Sequence, residues 1–278
     1  MVEDSCIKRF TARHRLFLTA FVAVCVLAVG LASLVAHSLR AERNISSRNN
    51  LRQVILGINN YAAAHGQLPR WALNDDAGKP IHSWRAVVSP FLASIDQLYR
   101  WDGPFNTRLV RGLDVHIPGS PLDEFGIPLA KTMGPYDGPI DYAWPFRVVG
   151  ANEQSQFHVH FFAIVGDETA WPDHFAAKLE DIGDGVRNTV ILAESHTLEA
   201  LWSQPIDLRF DQMTFAINDP ASPGISSPRE TGPLVAFADG EVLHLNPAIP
   251  QELVRSLLTA NGGETVDRSQ LVLDGWLR

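Results

Sequence analysis

The sequence predicts an α+β protein, in which a long N-terminal helix, membrane-spanning at first and amphipathic further on, packs on an antiparallel β-sheet. Three observations carry this expectation. Leu16 to Ala36 (LFLTAFVAVCVLAVGLASLVA) runs 21 residues without a charge, close to the roughly 20 that a helix needs to cross the hydrocarbon layer. After it, Leu51, Val54, Ile55, Ile58, Tyr61 and Ala62 recur at three- and four-residue steps, the mark of a helix with one apolar face. From residue 69 to 250, proline and glycine punctuate short apolar runs, the texture of strands and loops.

Three segments follow: a cytoplasmic tail (1–15), a transmembrane anchor (16–37) and an extracytoplasmic domain (38–278). The apolar run exceeds the roughly 7–15 residues of a signal-peptide core and continues into helix-forming sequence, so a retained anchor is expected. A lipid-modified Cys25 is disfavoured, because Val24 before it is bulky. Four basic residues precede the run and four follow it, so charge discriminates orientation poorly; the short tail favours a cytoplasmic N-terminus. Residues 1–60 carry eight basic against three acidic side chains, a surplus of five, whereas the remainder carries fifteen against twenty-eight. An acidic body repels phosphate backbones, which excludes nucleic acid as a partner. Membrane lipid is the partner the span implies. Cys6 and Cys25 are the only cysteines, so the body holds no disulfide and no thiolate metal site.

Along the chain, the amphipathic helix either restarts at Ser46 or Ser47 or runs on from the membrane, and His65-Gly66 followed by Pro69 ends it. Trp84 to Leu98 reads as a short helix pair broken at Pro90. Gly103 to Pro145 is loop-rich. Strands are expected at His158–Val165, Thr189–Ala193, Leu234–Ala238 and Glu241–Leu245, and a helix from Pro250 to Ala260, ended by Asn261-Gly262-Gly263. In VAFADGEVLHL (235–245) the Asp239-Gly240 step joins two apolar runs. It reads as a two-residue type I′ hairpin turn, with Phe237 facing Val242 and Val235 facing His244. Asp239 is then a turn residue and not a reacting carboxylate.

Several segments resemble the DUF1559 family, pilin-like proteins of planctomycete bacteria. They are SRNNLRQVILGINNYAAAHGQLP (47–69), GKPIHSWRAVVSPFL (78–92) with RWDGPFNTRLV (100–110), LEDIGDGVRNTVILAES (179–195), and VAFADGEVLHL with ELVRSLLTANGGETV (252–266). The resemblance implies a pilin-like ectodomain at the cell envelope, single-pass, that associates with copies of itself or with related pilin-like proteins. Two departures stand out. Arg229 occupies a position where the family commonly has a histidine. The span begins RLFLTAFVAV, without the glycine and glutamate that mark pilin-like members for processing, which favours a permanent anchor.

Chemistry-bearing residues are few. Asp181 and Asp184 in DIGDG offer oxygens to calcium, a hard cation that takes carboxylate loops; an aspartate-glycine turn before a strand accounts for the same residues. No cofactor other than calcium is implied. His158 and His160 stand two apart, on one face of a strand, without an identifiable third ligand for zinc. Trp84, Trp101, Trp144, Trp171 and Trp202 line a glycan surface or anchor the core. Glu194 ends an apolar strand with no partner in sequence. No nucleophile elbow and no phosphate loop is present. The expectation is a non-enzymatic envelope protein with a structural or interaction role, the alternative being a binding module for calcium or a glycan.

Overall fold

A computed structural model of the chain describes residues 2–92, 144–149 and 158–278. Two compact units make it up, Met1–Ile45 and Ser46–Arg278. Helix α1 (Val2–His65) is continuous, so of the two readings for Ser46 and Ser47 the uninterrupted helix is the one realised.

In the first unit the apolar side chains Phe21, Val24, Leu27, Leu31 and Leu34 are exposed. A helix whose apolar residues point outward all round has no core to serve. Among the described residues this is the one helix long and apolar enough to cross a membrane.

The second unit opens with the amphipathic turns of α1. Leu51, Val54, Ile55, Ile58 and Ala62 are buried, the face that the spacing predicts. Gly57 packs closely on Leu92: a Cβ there would stand 2.5 Å from Leu92 Cδ2, so the leucine side chain would have to move. Ser47 is buried and its Oγ accepts from Val149 N–H (2.9 Å). The helix ends as expected, with Gly66 in the left-handed region (φ +72°) donating to Ala62 O. A hairpin follows, β1 (Ala72–Asn74) and β2 (Pro80–Ser83), which was not anticipated. Ser83 then caps α2 (Trp84–Val88) by accepting from Arg85 N–H. A 3₁₀ turn at Ser89–Phe91 carries Pro90, so the break is where the sequence places it; residues 93–98 of the expected second helix, and the 100–110 motif, lie outside the described residues.

The main sheet has five strands in the order β5-β3-β4-β6-β7, built from β3 (Phe161–Val165), β4 (Val190–Glu194), β5 (Leu208–Arg209), β6 (Leu234–Phe237) and β7 (Val242–His244). Neighbours β3–β4, β4–β6 and β6–β7 are antiparallel, whereas β3–β5 is parallel. The sheet is therefore mixed and not antiparallel throughout. The two-residue β5 is too short to leave a period in the sequence. All residues of β3, β4 and β6 are buried, which is why these strands read as unbroken apolar runs and not as alternation.

The β6–β7 hairpin corrects the expected register by one residue. Leu234 pairs with His244, Val235 with Leu243 and Ala236 with Val242. The loop is three residues, Ala238-Asp239-Gly240, closed by Phe237 N–H to Glu241 O and Gly240 N–H to Phe237 O. Only Gly240 has a positive φ (+97°), so a three-residue loop with one left-handed glycine replaces the type I′ turn. His244 thus shares a face with Leu234 instead of Val235. Asp239 is architectural, as expected: it accepts two bonds from Arg268 (2.8 and 2.7 Å) and one from Glu241 N–H. Burial opposes its ionisation, but these donors prevail and hold the carboxyl below its ordinary value.

Helix α3 (Gln251–Leu258) buries Val254, Leu257 and Leu258 against the sheet core. Helix α4 (Arg268–Leu273), capped by Asp267, was missed in the sequence reading. Beyond it Arg278 exchanges both backbone bonds with His244 on β7.

Candidate functional site

The most polar part of the interior gathers around Glu194. It ends β4, pairs with Phe161 of β3, and its side chain is 0% exposed. A buried carboxylate is tolerated only when its oxygens are satisfied, and here both are. Oε1 meets His196 Nε2 at 3.0 Å. Oε2 accepts from Leu234 N–H at 3.0 Å and from the Arg229 guanidinium. Local structure sets this up: Ser195 N–H donates to His160 O, Ser226 N–H to Glu194 O, and His196 N–H to Ser226 Oγ. The chain just after β4 is thereby pinned between the residue preceding β3 and the segment leading to β6.

Two more histidines complete the group. The His160 ring lies against His196, tilted by 45° with centroids 4.7 Å apart. His244 Nδ1 lies 3.0 Å from Gly232 O. Burial pushes His160 down to about 4; the adjacent His196 adds to this and Glu194 opposes it. Burial likewise lowers His244 and Arg229, with Glu194 opposing in both cases. At neutral pH His160 is an uncharged ring beside an ion pair. With the Glu194 carboxylate as acceptor, His196 Nε2 is the donor in this contact. His196 is 28% exposed and reaches water, as do the half-buried His244 and Arg229. The neighbouring hydroxyl does not serve it: Ser195 Oγ donates to Gly224 O at 2.7 Å.

A second buried pair lies under α2. Arg85 Nη2 donates to Asp207 Oδ1 (2.7 Å) and Phe161 O, and its Nη1 to Ser83 Oγ. The same Asp207 oxygen accepts from Ala163 N–H and Trp84 Nε1. Burial drives Arg85 down and Asp207 up, against their mutual attraction. This pair ties β2, α2 and β3 to the segment before β5.

The sequence singled out other residues, and the structure places them as follows. Asp181 and Asp184 come together at the segment Asn261–Gly263. Asp184 Oδ2 accepts from Gly262 N–H (2.8 Å) and Oδ1 from Gly263 N–H (3.0 Å). Asp181 Oδ2 accepts from Lys178 N–H, and its carbonyl from Asn261 Nδ2. Among the described residues no group of three or more His, Cys, Asp or Glu side chains is arranged to hold a metal ion. His158 and His160 do not share a strand, since β3 starts at Phe161 and His158 instead bridges to Leu201. Trp84, Trp171 and Trp202 are core residues; Trp101 and the Trp144 side chain lie outside the described residues.

Sequence reasoning missed Arg229 as the partner of Glu194. It stood out there only as a departure from the family pattern. The Glu194–His196 contact had a signal: a spacing of two in extended chain puts both side chains on one side.

A buried polar group in a mixed sheet, in a chain that also carries one helix long and apolar enough to cross a membrane, defines an α+β protein with a candidate membrane span. Residues 38–98 match the model of the family described as "Protein of unknown function (DUF1559)", the family that the motifs resemble. No curated protein and no solved structure matches the chain.

Proposed function

We propose that this is a single-pass protein of the cell envelope, with the unit Ser46–Arg278 outside the cytoplasm and a structural or interaction role that is not enzymatic. The observation that carries the reading is the outward display of Phe21, Val24, Leu27, Leu31 and Leu34 on α1, a surface that lipid satisfies and water does not. The start of the span, without the glycine and glutamate of processed pilin-like members, supports a retained anchor. The non-enzymatic part is supported by Glu194, whose two oxygens are both committed to protein partners. A pilin-like ectodomain held in this way is suited to lateral association with copies of itself or with relatives.

The test is protease accessibility of the acidic body in intact cells and in spheroplasts, together with the N-terminal sequence of the mature protein. An external protease should degrade the body while the span stays in the membrane fraction with its N-terminus retained. A mature chain that starts beyond Ala36 and partitions into the aqueous fraction overturns the reading.

A further inference from the structure

Four Asx-Gly pairs fall among the described residues: Asp184-Gly185, Asp239-Gly240, Asn261-Gly262 and Asp274-Gly275. Such pairs are where a polypeptide attacks itself. The glycine N–H has no neighbouring Cβ to shield it, and once deprotonated the nitrogen can reach the side-chain carbonyl carbon of the preceding residue. In all four the glycine N–H is held. Gly185 donates to Ile182 O (3.1 Å), Gly240 to Phe237 O (2.9 Å) and Gly275 to Val272 O (3.1 Å). These three rest on backbone and no side-chain substitution removes them. Gly262 alone donates to a side chain, Asp184 Oδ2, at 2.8 Å.

Asn261-Gly262 is also the pair with the most reactive chemistry, since an amide is attacked more readily than a carboxylate. Both residues are exposed, so water and base reach them. The surroundings oppose reaction in two ways. Asn261 is held at both ends of its amide, with Oδ1 accepting from Gly183 N–H (2.9 Å) and Nδ2 donating to Asp181 O (3.2 Å). In addition the Gly262 N–H points at a carboxylate, and the Glu264 carboxylate fills the space that a side chain at 262 would need. An anion bonded to an N–H stabilises the protonated form and disfavours loss of that proton.

We propose that Asn261-Gly262 is a latent self-modification site and that the Asp184 carboxylate is the clamp that keeps it closed. When the clamp opens, Gly262 N loses its proton to solvent base and attacks Asn261 Cγ. The N–Cγ bond forms, the Cγ–Nδ2 bond breaks, and ammonia leaves after taking up a proton. Water then opens the five-membered imide at either carbonyl, giving aspartate or isoaspartate at 261. Either product destroys the donor to Asp181 O, and isoaspartate also lengthens the main chain by one atom. The turn that joins α3 to the loop before β4 is thereby altered.

The experiment follows Asn261 by peptide mapping and isoaspartate detection during incubation at mildly alkaline pH. It compares the full chain folded in detergent, the full chain unfolded in urea, and folded Asp184→Ala and Asp184→Ser variants. Folded wild-type protein should convert several-fold more slowly than unfolded protein. Asp184→Ala should approach the unfolded rate at Asn261 while the Asp239-Gly240 pair stays intact. Should Asp184→Ala speed both pairs, general unfolding is responsible and Asp184→Ser decides, because it retains an acceptor oxygen without the charge and creates no new Asn-Gly pair beside Gly185; it must still exceed wild type at Asn261. Equal rates in folded and unfolded wild type overturn the proposal, as does a folded Asp184 variant that converts no faster than wild type.

Discussion

Glu194 sits in the interior with a charge that the fold must compensate. Removing one partner of a buried pair leaves the other uncompensated and typically costs about 3–5 kcal/mol. Arg229 is 12% exposed and Glu194 0%, so Arg229→Ala should destabilise the protein by about 3 kcal/mol in urea unfolding, while the pair Glu194→Gln with Arg229→Met recovers part of that loss. Full additivity of the two changes would mean that the residues do not act together. The neighbouring His160 makes a second expectation. Its pKa is about 4 in the folded protein against an ordinary 6.5. Between those values the unfolded chain binds the proton and the folded one does not. Stability is therefore complete above about pH 6.5 and is lost as pH falls toward 4, by about 2–3 kcal/mol from this group. His244, also lowered by burial, acts in the same direction. Unfolding free energy measured from pH 4 to 7 should show the slope, and His160→Gln should flatten it; a wild-type profile already flat over that range sinks the assignment. Little of this was legible in the sequence. Arg229 is 35 residues from Glu194, and no local period links them; only the fold brings the end of β4 and the segment before β6 together.

Elements were read well where one periodicity dominated and poorly where backbone geometry decided. The amphipathic turns of α1, the strands β3, β4, β6 and β7, and α3 all coincide with apolar runs long enough to show. The β1–β2 hairpin, β5 and α4 read ALN, PIHS, LR and RSQLVL, and polar residues interrupt or flank the few apolar ones, so none stands out as an apolar run. The β6–β7 turn was located correctly but given the wrong length. Aspartate-glycine suits a two-residue loop and a three-residue loop alike, and the choice rests on the conformation of Asp239, which composition does not encode. The observed loop places its whole conformational demand on Gly240. A Cβ there would meet Asn59 Nδ2 only at 3.5 Å, so space is available and backbone strain is the cost. Gly240→Ala should then lower stability by about 1–2 kcal/mol with the fold retained. A neutral effect in thermal melting would show that the loop relaxes to another form.

On the scale of the whole molecule, the two units have opposite relations to water. Among the described side chains, Met1–Ile45 displays its large apolar residues and contributes none to the core, whereas Ser46 onward carries Leu51, Val54, Ile55 and Ile58 into it. Each large apolar side chain taken from lipid or core into water costs about 1.5–3 kcal/mol, and the exposed set from Phe21 to Leu39 holds nine such residues. That sum is far beyond what a marginally stable domain can offset. The two units should therefore separate cleanly in solubility. A chain that begins at Ser46 should stay folded and monodisperse in buffer without detergent, and the full chain should need detergent or membrane. The boundary matters more than the span, because a chain that begins at Gln67 also loses the buried face of α1. Deleting buried aliphatic side chains costs about 2–5 kcal/mol apiece even singly, so that shorter chain should fail to fold. Circular dichroism and size-exclusion chromatography on the three lengths decide the matter. If the chain from Gln67 folds as well as the chain from Ser46, the last turns of α1 are not part of the core. If the full chain is soluble without detergent, the helix has a protein partner where lipid is expected.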